Sequence, residues 1–158
     1  MEQLETFDNL IIVRAFTKIY AIPGVRLGYL LCANQQMRKQ ICAQLPEWNL
    51  STFAQAAGVA AIRETAYVKE SVDYVKNERL FLENKLRELG IRVFPGDANY
   101  ILIYTKIPLF ERLLEKKILI RDCANFAGLS KGYYRIAVRT REENEKLWKA
   151  IGECIESN

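Results

Sequence analysis

Apolar positions along the chain fall into short runs separated by clear stops, and their spacing predicts alternating strands and helices. Asn9-Leu10-Ile11-Ile12-Val13 is a brief β-branched run and predicts a buried strand, closing in Arg14-Ala15-Phe16-Thr17-Lys18. Pro23-Gly24 marks a turn, and Val25–Cys32 predicts a second strand. From Asn34 to about Leu45 the spacing is helical, and Pro46 stops it. Ser51 suits the N-cap of a small-residue helix, Thr52–Ile62, whose alanines and Gly58 allow close packing.

Residues 65–89 predict one long amphipathic helix. Val68, Val72, Val75, Leu82, Leu86 and Leu89 fall on or near one stripe, and Gly90 suits the position after its end. Beyond it the pattern predicts a strand (Ile91–Phe94), a turn at Pro95-Gly96-Asp97 and a strand (Tyr100–Tyr104). A helix near Leu109–Lys117, a strand (Ile118–Arg121), a loop to Gly132, a strand (Tyr133–Val138) and a helix from about Arg141 to Ile155 complete the chain. That order makes an α+β unit of about 70 residues, a reasonable small domain. Residues 1–60 offer two strands and two helices, too few to cover both faces of a sheet. The predicted organisation is the end of a larger domain over 1–64, a linking helix over 65–90 and a small α+β domain over 91–158. Neither an internal repeat nor a low-complexity stretch interrupts it.

Composition narrows the function more than the fold. The net charge of +4 is evenly spread: residues 1–60 carry five Lys/Arg and four Asp/Glu, and residues 61–158 carry eighteen and fifteen. No concentrated basic patch points to nucleic acid. No apolar run approaches the ~20 residues that cross a bilayer, and the acidic start MEQLETFDNL is unlike a signal peptide. The expected location is the cytoplasm. Cys32, Cys42, Cys123 and Cys154 have no CxxC spacing and are expected to be free thiols. The chain contains no histidine, so it holds no Ser-His-Asp or Cys-His triad, and no metal site is expected. Catalysis would fall to Lys, Arg, Tyr, Asp or Glu, or to a borrowed cofactor.

Lys18 stands just past the first strand, at the sheet edge where α/β proteins place ligands. Arg26 follows eight residues later, after the Pro-Gly turn. A lysine that attacks a carbonyl must first lose its proton, which a neighbouring cation favours. An arginine also offers a permanent fork for a phosphate. With 23 Lys/Arg in the chain, spacing alone fits a solvated surface lysine better.

The stretch Arg14-Ala15-Phe16-Thr17-Lys18-Ile19-Tyr20-Ala21-Ile22-Pro23-Gly24-Val25-Arg26-Leu27-Gly28-Tyr29 closely resembles the cofactor-lysine motif of the class I/II aminotransferases. Within that family it is most similar to the threonine-phosphate decarboxylase group, then to the histidinol-phosphate aminotransferase group. A second match runs through Ile118–Asp122, Asn125–Leu129, Tyr134–Arg139 and Glu142–Asn144. The resemblance extends from about Leu10 to about Ile151, less than half of the family's usual length. It implies an α/β fold, the C-terminal part of a pyridoxal-phosphate-dependent transferase. It implies that Lys18 bonds covalently to pyridoxal 5′-phosphate and that Arg26 binds the cofactor phosphate. Arg121 and Arg135 are implied to hold the anionic groups of a small amino-acid or amino-phosphate substrate.

The family usually carries Ser or Thr three residues before the lysine, and here that position is Ala15. Arg139 and Arg141, alternate with Arg135, are read as a solvated strand face with a structural role. Trp48 and Tyr100 are read as packing residues first, and Asn99 as a turn or backbone-bonding residue. The carboxylate for the pyridine nitrogen, the ring-stacking aromatic and much of a homodimer interface are expected outside this chain. Alone, the chain is expected to be inactive. The functional alternatives are a decarboxylase serving cobalamin side-chain synthesis, an aminotransferase of the histidinol-phosphate kind, and a catalytically silent folding or dimerisation module.

Overall fold

The computed structural model describes residues 2–157. The chain separates into two compact units, Met1–Ser71 and Val72–Asn158. The boundary falls inside the long helix predicted as a linker, so each unit owns part of it.

The first unit opens with a short helix α1 (Glu2–Thr6), followed by β1 (Ile12–Ala15) and a one-turn helix α2 (Phe16–Ile19). A 3₁₀ turn at Pro23–Val25 leads into β2 (Gly28–Leu31), which pairs antiparallel with β1 from Ile12↔Leu31 to Ala15↔Gly28. Helix α3 (Gln35–Ala43) starts at Asn34, whose side-chain oxygen accepts from the Met37 amide at 3.0 Å. Helix α4 (Thr52–Ala61) starts at Ser51, whose hydroxyl accepts from the Ala54 amide at 3.2 Å. Both side chains satisfy amides that the first helical turn leaves without partners. The predicted burial of the first strand is not found. Ile11 and Val13 are exposed, Val13 at 73%, because two strands have no second layer to face within this unit.

The second unit contains the later part of α5 (Thr65–Glu88), then β3 (Arg92–Val93), β4 (Tyr100–Tyr104), α6 (Leu109–Glu115), β5 (Arg121–Asp122), β6 (Tyr133–Ala137) and α7 (Arg141–Glu156). Gly90 takes a positive φ of 74° just past α5, as the pattern predicts. The strands form one antiparallel sheet in the order β3-β4-β6-β5. Period-two alternation sorts its faces. Ile101 and Ile103 of β4 and Tyr134 and Ile136 of β6 are buried, and pair as Ile101↔Ile136 and Ile103↔Tyr134. Leu82 and Leu86 of α5, Leu109 and Leu113 of α6, and Ile151 of α7, each with no solvent exposure, complete the core. Each such side chain contributes about 1.5–3 kcal/mol. The apolar stripe of α5 is therefore real at Leu82 and Leu86, while Val72 remains half exposed.

Helix α7 begins with a reciprocal capping box between Thr140 and Glu143. Strand β6 has ended by then, so Arg139 and Arg141 do not continue the strand face expected of them. Arg141 instead grips the Glu78 carboxylate at 2.9 Å and lies 3.7 Å from the Phe81 ring centroid. Arg139 pairs with Glu143 at 2.8 Å. The structural role read for both is what the contacts show. Among the described residues all four cysteines are free, no helix is long and apolar enough to cross a membrane, and no side-chain cluster could hold a metal.

Candidate functional site

In the first unit, the predicted lysine sits on α2. The Phe16 amide donates to the Leu27 carbonyl at 3.1 Å, continuing the β1–β2 pairing by one step. The chain then coils for a single turn, closed by Tyr20 N–H to the Phe16 carbonyl and Ala21 N–H to the Lys18 carbonyl. Phe16 and Thr17 turn inward, and Lys18 is exposed. Phe16 stacks on Tyr20 with centroids 5.3 Å apart and meets the edge of Tyr29 at 5.6 Å. The turn that carries the lysine is thus pinned by aromatic contacts rather than by helix propensity.

Between Lys18 and β2, Ala21 and Arg26 both adopt left-handed backbone, with φ of 52° and 54°. These two kinks bracket the Pro23–Val25 turn, which packs against α2. Arg26 is exposed. Neither Lys18 nor Arg26 makes an ion pair or side-chain hydrogen bond among the described residues. Both cations are therefore open to solvent and available to an anion. Thr17 Oγ1, beside the lysine, is buried and has no hydrogen-bond partner. A primary amine and a free guanidinium are the donors that an aldehyde and a phosphate require, so the residues present fit pyridoxal phosphate in kind. Ala15 contributes no hydroxyl, and Thr17 faces inward.

In the second unit, the other two predicted residues come together. Arg121 and Arg135 are direct cross-strand partners on β5 and β6. Arg135 also stands opposite Leu102 on β4, and its guanidinium lies 4.8 Å from the Tyr100 ring centroid. Arg121 donates to the Asn125 side-chain oxygen at 3.4 Å and lies 5.5 Å from the Phe126 ring. Both arginines line an open pocket of about 670 Å³ together with Asn99, Tyr100, Phe110 and Leu119. Burial raises the Cys123 thiol pKa despite the opposing field of Arg135 and Arg121, so this thiol stays protonated beside them.

Two residues need a different reading from the one the sequence suggested. Tyr100 is not a packing residue: it is 44% exposed, supports Arg135 and lines the pocket. The signal was present in β4, where Tyr100, Leu102 and Tyr104 alternate with the buried isoleucines. Asn99, in a bend and accepting the Val138 amide on its carbonyl at 2.9 Å as its reading expects, lines the same pocket. Trp48 does not pack either, being 96% exposed with a φ of 56°.

The profile of the family described as aminotransferase class I and II matches residues 1–151. Threonine-phosphate decarboxylase of Salmonella typhimurium is 37% identical over 94% of this chain and 42% of its own length. A histidinol-phosphate aminotransferase of Clostridium kluyveri is 38% identical over 98% of this chain and 44% of its own. The crystal structure of the histidinol-phosphate aminotransferase from Clostridium acetobutylicum superposes with a TM-score of 0.95 at 32% identity, covering 99% of this chain and 49% of that one. The chain thus spans less than half the length of the curated relatives it matches.

Proposed function

The chain belongs to the class I and II aminotransferase family, and we propose that it forms the lysine-bearing portion of a pyridoxal-phosphate enzyme acting on a small phosphorylated amino acid or amine. The reading nearest to it is threonine-phosphate decarboxylase, which would serve cobalamin side-chain synthesis. The observation that carries this reading is Lys18, exposed and without a partner on its one-turn helix, with Arg26 on the kinked turn that follows.

Lys18 Nζ would hold the cofactor at its aldehyde end, and the Arg26 fork would bind its phosphate. When bound, the cofactor supplies an electron sink for a bond broken at the substrate Cα. Arg121 and Arg135 hold the substrate's anionic groups. Lys18 Nζ would also carry a proton to or from the reacting carbon. Loss of carboxylate makes the enzyme a decarboxylase, and movement of the Cα proton makes it an aminotransferase. The aminotransferase reading is supported by the 38% identity and by the 0.95 superposition. Product analysis with the complete protein separates the two.

The working form we infer is a cytoplasmic homodimer. The free thiols suit a reducing compartment, and the exposed Val13, Trp48 and Phe53 suit a covered surface. The test of the central claim is borohydride reduction of the complete protein with cofactor, followed by peptide mapping. The pyridoxyl group is expected on Lys18, and finding it on another lysine overturns the reading.

A further inference from the structure

Arg79 stands on the part of α5 that belongs to the second unit, and its side chain is only 15% exposed. Its Nε lies 3.5 Å from one oxygen of the buried Glu83 carboxylate. The other Glu83 oxygen accepts from Arg87 Nη2 at 2.9 Å. The far end of the Arg79 guanidinium meets the loop that enters β4. Nη1 donates to the Ala98 carbonyl at 3.4 Å, and Nη2 lies 3.6 Å from the Asp97 carboxylate. A Cβ built on Gly96 would stand 3.7 Å from Nη1. Three consecutive loop residues thus surround one guanidinium.

The residues that follow the loop belong to the arginine pocket. Asn99 comes next, tied to the sheet through its carbonyl, and then Tyr100, whose ring lies 4.8 Å from the Arg135 guanidinium. Both line the pocket that Arg121 and Arg135 share. Glu83 does not need Arg79 for its charge, because Arg87 already meets it at shorter range from a more exposed position. Sinking a second guanidinium beside one carboxylate costs desolvation that the ion pair barely repays. A planar fork can, however, hold two loop groups at a fixed angle to the helix that carries it. The arrangement suits placement more than stability.

We propose that Arg79 is a positioning residue for the arginine pocket. By holding Asp97 and Ala98 against α5 it sets where Asn99 and Tyr100 stand, and Tyr100 in turn sets the Arg135 guanidinium. The inference rests on the reading of Arg121 and Arg135 as the arginines that hold an anion.

The test compares Arg79→Gln with Arg87→Gln in this chain. Each removes one partner of Glu83, and only the first releases the loop. The Nε–H resonance of Arg135, followed by NMR, reads its place against the Tyr100 ring, and titration with inorganic phosphate reads the pocket. Arg79→Gln is expected to move that resonance toward an unstacked arginine and to weaken phosphate binding at Arg121 and Arg135 by about 3-fold or more. Arg87→Gln is expected to leave both readings unchanged. Thermal melting establishes that each variant is folded. If Arg79→Gln does not fold, Arg79→Lys, which keeps a charge near Glu83 without the fork, is read in the same way. An unmoved Arg135 resonance in a folded Arg79 variant, or equal movement in Arg87→Gln, overturns the proposal. Absence of phosphate binding in the unsubstituted chain counts against the anion reading of the two arginines, and the Arg135 resonance then decides the placement by itself.

Discussion

Arg121 and Arg135 stand directly opposite each other on adjacent antiparallel strands, each guanidinium near an aromatic ring and neither paired with a carboxylate among the described residues. Like charges directly opposite on a sheet are unfavourable by roughly 0.2–1 kcal/mol. On the proposed reading an anion held between them offsets that cost. Replacing Arg121 with Gln is therefore expected to leave stability unchanged or raise it by a few tenths of a kcal/mol. In the complete enzyme the same change should weaken substrate binding by roughly 1.5–3 kcal/mol, the worth of a charge-assisted hydrogen bond. Urea unfolding reads the first effect and substrate titration the second. A substitution that lowers stability and spares binding would make the pair structural.

Gly24 of the Pro23–Val25 turn and Gly28 of β2 should respond differently to alanine. Nothing lies within 4 Å of a Cβ built on Gly24, and its φ is outside the left-handed range. Gly24→Ala is expected to change stability by no more than about 0.5 kcal/mol, with any gain coming from a less flexible unfolded chain. At Gly28 a Cβ would stand 2.9 Å from the Arg14 carbonyl oxygen, a main-chain atom in the paired strand. Gly28→Ala must push β1 and β2 apart and should cost about 1–3 kcal/mol. Thermal unfolding of the two variants checks the contrast, and equal melting temperatures would contradict the strand register.

What the sequence revealed and what it concealed follow from the range of the forces involved. Strand β4 was legible to the residue because its alternation is local, and Ser51 and Asn34 announced their helices because capping is local too. Helix α2 was not legible, since one four-residue turn has no periodicity and is fixed by Phe16 reaching Leu27. The strand predicted at Ile118–Arg121 forms its ladder only from Arg121, because a strand exists where it has a partner. The expectation for Lys18 and Arg26 rests on their motif. That Arg121 and Arg135 oppose each other depends on sheet register, which no local pattern encodes. The exposure of Val13 and Trp48 shows a further limit. An apolar residue indicates that something should cover it, not that the cover belongs to the same chain.

The ion pair between Glu78 and Arg141 ties α5 to the start of α7 and should be a principal support of the second unit. Glu78 is 5% exposed, and its carboxylate accepts from Arg141 and, at 3.0 Å, from the Asn144 amide. Asn144, itself 1% exposed, also donates to the Arg139 carbonyl and accepts from the Arg139 amide. Removing one member leaves buried polar atoms without partners. Arg141→Ala is expected to cost about 1–3 kcal/mol, below the fully buried case because the arginine is half exposed. Asn144→Ala should cost a comparable ~2 kcal/mol, since it strips both Glu78 and the Arg139 backbone. Substituting both should cost less than the sum, because the two share Glu78 as a partner. A strictly additive double mutant, measured by urea unfolding, would show that the contacts act separately.

The capping box at the start of α7 gives the second unit a defined acid limb. The Glu143 carboxylate accepts from the Thr140 hydroxyl at 2.9 Å and from Arg139 at 2.8 Å, while the Thr140 oxygen receives the Glu143 amide. The Thr140 hydrogen bond, followed by the Arg139 contact, holds the Glu143 pKa below its ordinary value. In the unfolded chain the same carboxyl titrates near ~4.3. A folded-state pKa lower than the unfolded one means that the unfolded chain binds the proton first as pH falls. The contribution is therefore complete above the ordinary glutamate range, declines through it and is gone below the depressed folded value. Glu143→Gln should flatten that limb while leaving the rest of the acid profile in place. Thr140→Ala should flatten it in part and also remove about 1 kcal/mol at neutral pH, the usual cost of losing an N-cap. Unfolding measured from ~pH 7 to ~pH 3 in the three proteins decides the point: acid limbs of equal slope would mean that Glu143 is not held in its charged form by the cap.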